Sequence, residues 1–120
     1  TSDSPLTIMQ NLPMDGFVVV STPQDLANLD AKRCINMIRK LNLNVLGVVE
    51  NYTGEIFGEG GGKNLAKEVD APFLGDIALR SIYRDASKPT ALLDKSVGIE
   101  FKSVADAMKK SLKEFGSEAV

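Results

Sequence analysis

Two apolar runs, Phe17-Val18-Val19-Val20 and Val45-Leu46-Gly47-Val48-Val49, flank one long amphipathic stretch. Neither run alternates polar with apolar residues, so each is expected to be covered on both faces, as a parallel strand is between helix layers. Between them, Leu26, Leu29, Cys34, Ile35, Met37, Ile38 and Leu41 recur at helical spacing, with Lys32, Arg33, Asn36, Arg39 and Lys40 on the wetter side. Thr22-Pro23-Gln24-Asp25 carries the marks of a helix start: Thr22 as cap, Pro23 in the first turn and Asp25 in the place of a capping-box acid. Asn42 closes the helix. Two strands joined in this way are expected to be parallel with a right-handed crossover. Asn51 follows the second run directly, which puts it at the carboxyl edge of the sheet, where open α/β sheets bind ligands.

The remaining segments extend the pattern. Ser4-Pro5 opens a short helix through Leu6, Ile8 and Met9 that ends near Pro13. A loop from Tyr52 to Glu59 leads through Gly60-Gly61-Gly62 into a helix with Leu65, Ala66 and Val69 on one side. Pro72-Phe73-Leu74-Gly75 reads as a short third strand, and Ile82 to Ser87 as a helical turn or two, ended by Pro89. Phe101, Val104, Ala105, Met108, Leu112 and Phe115 form a long stripe, with Lys102, Lys109, Lys110, Lys113 and Glu114 outside. The order predicts an α/β fold, a parallel sheet with helices on both faces. A chain of 120 residues without repeat or linker fits one core over 1–120, although a sheet with no strand before its first helix points to half of a larger fold.

Charge and residue usage exclude several chemistries. With 14 basic and 16 acidic residues the net charge is −2, which gives no electrostatic case for a nucleic-acid or acidic-membrane partner. No apolar run approaches the roughly 20 residues that span a bilayer, and no signal-peptide pattern opens the chain, so a soluble cytoplasmic protein is expected. Histidine is absent and Cys34 is the only cysteine, which removes Ser-His-Asp and Cys-His nucleophiles and the usual zinc sites. On the apolar stripe, Cys34 reads as a small buried hydrophobe.

The segment Phe57 to Glu68, FGEGGGKNLAKE, invites a phosphate-loop reading because Gly62-Lys63 precedes a helix start. The pattern does not hold. Phe57 stands where the first glycine of a P-loop belongs, Asn64 stands where its Ser or Thr belongs, and the segment does not follow its strand directly. Asn51 carries both a donor and an acceptor suited to a purine edge, but an Asn at a strand end is also a common turn former that bonds its own backbone. Asp30, Asp76 and Asp85 read as solvated charges.

The run VVVSTPQDLANLDAKRCINMIRKLNLNVLGVVEN, continued by IFGEGGGKNLAKEVDAPFLGDI, resembles the C-terminal half of the Mrp/ApbC-type P-loop ATPases. These iron-sulfur cluster carriers belong with MinD and ParA in the deviant Walker superfamily. The resemblance covers essentially the whole chain. It implies the C-terminal half of a P-loop NTPase fold, which binds ATP with Mg2+, dimerises around the nucleotide, and passes a cluster to acceptor or scaffold proteins. Asn51 falls on the asparagine that contacts adenine, and Ile77, Ala78 and Leu79 fall on the loop beside the base. Asp30 falls on an acid near the dimer-facing nucleotide site, and Asp3 on the switch-like aspartate. The resemblance thus makes these 120 residues the adenine-side wall and dimer surface.

Departures from the family pattern are as informative. Between Asn51 and Ile56 the family carries an insert with Cys-x-x-Cys, whereas here only Tyr52-Thr53-Gly54-Glu55 intervenes, so no cluster ligand stands there. The P-loop lysine and the Mg2+-binding Ser or Thr are absent from these residues, which on their own would not hydrolyse ATP. Ala78 replaces the usual proline, and the segment at Ala86-Ser87-Lys88-Pro89 is shortened. Two other readings compete: a MinD/ParA-like spatial regulator, with Lys109, Lys110 and Lys113 as its contact, and a non-enzymatic interaction module that pairs through an exposed sheet edge.

Overall fold

A computed structural model describes residues 3–118, with side-chain surroundings for residues 7–115. Its elements in chain order are α1 (Asp3–Asn11), β1 (Phe17–Ser21), α2 (Asp25–Lys40), β2 (Val45–Thr53), α3 (Gly61–Glu68) and β3 (Phe73–Ala78). A 3-10 turn (Ser81–Arg84), α4 (Thr90–Leu93) and α5 (Lys95–Glu118) follow. Among the described residues the strands form a three-stranded sheet in the order β1-β2-β3, both pairs parallel.

Two cores lie on opposite faces of this sheet. On one face Met9 of α1, Ala31, Ile35 and Ile38 of α2, and Leu65, Ala66 and Val69 at α3 pack on Val19, Val45 and Val48. On the other, Val104 of α5, with Ala107 and Met108, packs on Val49, Leu74 and Ile77. The predicted α/β layering is therefore present, and β2 is its buried centre: Val45 through Glu50 are all buried. The first strand departs from the expectation of full coverage. Val18 and Val20 point to the α5 face, but α5 lies over β2 and β3, and Val20 is 59% exposed.

Helix boundaries and phases also differ from the sequence reading. Helix α2 starts at Asp25, with Gln24 in the cap position and no side-chain cap bond; the Thr22 hydroxyl donates to Gln24 Oε1 at 3.3 Å instead. Leu26 and Leu29 are exposed, and the inward face is set by Ala31, Ile35 and Ile38, which share a core with Val19, Val45 and Val48. Its end is as expected: Asn42 adopts a left-handed φ of 59°, the conformation in which Asn substitutes for glycine after a helix. Arg39 reaches across to donate to the carbonyls of Val69 and Asp70, tying α2 to the end of α3.

In α5 the expected stripe holds only in part: Val104 and Met108 pack inward as expected. Val97, Val104 and Ser111 are buried, whereas Phe101, Ala105 and Leu112 are exposed. The Ser111 hydroxyl donates to Leu46 O at 2.6 Å, so a polar residue occupies the inner face and satisfies a sheet carbonyl. The turn predicted over Ile82 to Ser87 is limited to the 3-10 turn, and Pro89 stands at the start of α4.

Candidate functional site

Strand β2 does not stop before Asn51; it runs on to Thr53. Glu50 pairs with Asp76 and Thr53 with Ala78, so two residues of β2, Asn51 and Tyr52, stand opposite one of β3, Ile77. The extra residue makes a bulge, a device that re-aims side chains at sheet edges and beside binding sites. Tyr52 carries the cost, with a left-handed φ of 60° that is uncommon for a bulky residue. Its backbone N–H donates to Asn51 Oδ1 at 3.0 Å. This is the turn-former geometry weighed from the sequence, but it uses only part of the amide. Among the described residues the Nδ2 group has no hydrogen-bond partner, and one lone pair of Oδ1 remains.

Beneath the bulge sits Glu50, fully buried at the centre of this edge. A buried carboxyl group is tolerated only when its oxygens accept hydrogen bonds. Oε2 accepts from the Thr53 hydroxyl and, at 3.4 Å, from the Gly60 N–H; Oε1 accepts from the Gly62 N–H at 2.8 Å. Helix α3 has no local side-chain cap, and Glu50 supplies one from the neighbouring strand. The glycine run thus turns its amides inward onto a carboxyl group, not outward to a phosphate. Gly61 and Gly62 are there for closeness: a Cβ on Gly61 would lie 2.7 Å from Pro23 O, and one on Gly62 2.8 Å from Glu50 Cβ.

Thr53 also receives the β3 exit. Its carbonyl accepts from the Leu79 N–H at 3.0 Å, which brings Leu79 to the edge that bears Asn51. Glu100 of α5 fixes the same segment, accepting from the Ala78 N–H at 3.2 Å and from Arg80 Nε at 3.3 Å. The hydrogen bond and charge of Glu100 raise the Arg80 pKa above its ordinary value. Between Asn51 and α3, Gly54 and Gly58 exchange two backbone hydrogen bonds of 2.8 and 2.7 Å, closing a short hairpin whose tip exposes Ile56 and Phe57.

The residues expected beside the base do not all gather here. Ile77 is buried in the α5-side core and Ala78 ends β3, because the strand is longer than its Pro72–Gly75 signal; only Leu79 lies on a loop. Asp30 is on α2, exposed and 3.8 Å from Arg33, beside an apolar groove of about 560 Å3 along β1 with Ile8, Met9 and Cys34. That groove is apart from Asn51. Asp3 opens α1, and its side chain lies outside the described residues. Cys34 is half-buried against the α2-side core, and Asp76 and Asp85 are exposed as expected. Glu50 and Thr53 are the buried polar residues of this edge that periodicity overlooks. Their one signal is an acid closing an otherwise apolar run; its link to the glycine-rich helix start, ten residues on, shows only in the fold.

A family model described as ParA, NUBPL iron-transfer P-loop NTPase, matches residues 1–113. The chain belongs to this family. An iron-sulfur cluster carrier protein from Methanocaldococcus jannaschii is 41% identical over 118 residues, covering 87% of this chain and 41% of the relative. One of the same description from Pseudomonas fragi is 43% identical, covering 78% and 37%. The iron-sulfur cluster transfer protein NUBPL of Mus musculus is 41% identical, covering 72% and 30%. The chain thus spans well under half the length of these members of the P-loop NTPase family. Among the described residues, no helix is long and apolar enough to cross a membrane, and no group of three or more acidic or cysteine side chains is placed to hold a metal ion.

Proposed function

We propose that this chain forms the adenine-reading side of the nucleotide site of an iron-sulfur cluster carrier of the P-loop NTPase family. The observation that carries the reading is the Asn51 amide: it is presented in a bulge at the carboxyl edge of a parallel sheet, with two donor hydrogens and one acceptor lone pair unspent. Adenine offers a donor beside an acceptor, which such an amide matches in pairs. The Leu79 segment, held to Thr53 and Glu100, lies beside it as an apolar wall for the ring.

The residues fit the base and not the other end of the nucleotide. The α3 amides that resemble a phosphate cradle are committed to Glu50, and the sequence holds no P-loop lysine. The triphosphate and Mg2+ would therefore be held by further family sequence, where they supply the charge stabilisation of phosphoryl transfer. In this proposal a homodimer around the nucleotide couples ATP hydrolysis to transfer of a cluster to acceptor or scaffold proteins in the cytoplasm. Cys34 is the single cysteine and packs on the core, so the cluster, as cargo, takes its thiolates from outside these 120 residues. The names of the relatives favour this reading over a spatial regulator acting on membranes or DNA.

The test is nucleotide preference in the full-length protein. Asn51→Ala leaves the polar edge of adenine unpaired, which costs about 1–3 kcal/mol. ATP binding should weaken accordingly while GTP binding holds, as read by calorimetry. An unchanged ATP-to-GTP ratio of affinities would remove Asn51 as the base reader.

A further inference from the structure

The bulge at Asn51 is held by a device that no backbone pairing provides. Across it, the Thr53 hydroxyl donates to Glu50 Oε2, so the residues on either side of Asn51 and Tyr52 are clasped side chain to side chain. Glu50 is fully buried and Thr53 is 8% exposed, which removes water as a competing partner. The other bonds of Glu50 run to Gly60 and Gly62, anchoring the clasp to the first turn of α3. The carbonyl of Thr53 holds Leu79. One carboxyl group therefore joins the bulge, the helix start and, through Thr53, the β3 exit.

We propose that Glu50 and Thr53 are positioning residues for the Asn51 amide, setting its direction at the sheet edge and with it the preference for adenine. The proposal rests on the reading of Asn51 as the base contact. Without the clasp, a left-handed Tyr52 has less to hold it, and relaxation of Tyr52 toward ordinary φ withdraws its N–H from Asn51 Oδ1. The amide then samples several directions, and a two-point contact with the base loses its preorganisation.

Thr53→Val is the sharpest variant, since it keeps shape and backbone while removing the hydroxyl. Glu50→Gln is the conservative control: with its oxygen on the Gly62 N–H, its amide nitrogen can donate to the Thr53 hydroxyl oxygen, so the clasp is reversed in direction and kept. Two readouts separate the proposal from the reading on which it rests. In the nucleotide-free protein, the heteronuclear NOE of the Asn51 side-chain amide should fall in Thr53→Val and fall less in Glu50→Gln; an unchanged value in Thr53→Val would overturn the positioning role, whatever Asn51 binds. In binding, Thr53→Val should lower the ATP-over-GTP preference by roughly fivefold to tenfold and add nothing further in an Asn51→Ala background. A preference that survives Thr53→Val but is lost in Asn51→Ala would leave the base contact standing and sink the clasp. A mobile amide in Thr53→Val with no loss of preference in Asn51→Ala would do the reverse.

Discussion

Gly62 shows how little freedom the edge of this sheet leaves at single positions. Its missing Cβ would sit 2.8 Å from Glu50 Cβ and 3.4 Å from the ring of Phe73, and neither is the loose end of a flexible chain. Gly62→Ala should therefore destabilise by roughly 1–3 kcal/mol of overpacking, less the ~1 kcal/mol that alanine gains in a helix. A lowered urea midpoint with an unchanged slope would show it; a raised midpoint would mean that the α3 start stands off from β2. The glycines are conspicuous in the sequence, but their purpose is not. A phosphate cradle and a close packing both call for glycine before a helix, and what separates them is Glu50, distant in sequence, whose buried oxygens claim the amides. Asn51 is similar: its place at the ligand edge is legible from the apolar run before it, whereas the bulge that aims it depends on the register of β3.

At the scale of elements, β2 and α3 are legible because each owes its burial to a pattern that its own residues spell out, whereas β1 and α2 are legible in place but not fully in facing, with Val20, Leu26 and Leu29 exposed. Helix α5 is legible as a helix packed on the sheet through Val104 and Met108, but its inner face is legible only in part, since two of its inward residues are polar. Ser111 bonds Leu46 O, and Glu100 bonds the Ala78 N–H, so the apolar stripe through Phe101, Ala105 and Leu112 misjudges the inner face. Ser111→Ala should cost about 1 kcal/mol, the worth of a buried hydrogen bond and of the carbonyl left unpaired. Leu112→Ala, at 39% exposure, should cost less than a fully buried leucine would. Thermal unfolding of the two variants decides the phase of the helix: a loss confined to Leu112→Ala would restore the stripe as its inner face. Strand β3 is underestimated for a related reason, because Asp76 interrupts its apolar run while its backbone continues to pair with β2.

For the molecule as a whole, the sheet is asymmetric. The side of β1 facing α5 is open, with Val20 largely exposed, and an apolar groove runs along β1 between α1 and α2. The carboxyl edge is instead densely tied, from Glu50 through Thr53 to Leu79 and from Glu100 to Ala78 and Arg80. Hydrogen bonds between segments thus concentrate at the edge where the Asn51 amide is presented, the arrangement that the proposed base contact would need for preorganisation. This contrast was not legible in the sequence, since every tie but the one between Glu50 and Thr53 of β2 joins residues from different segments of the fold. The most direct measurement is the NMR signal of the Asn51 Nδ2 hydrogens in the full-length protein during titration with ATP and, separately, GTP. The account predicts a large, saturable shift with ATP and a small one with GTP. A bound-state spectrum in which other resonances move with ATP while the Asn51 amide stays in place would contradict it.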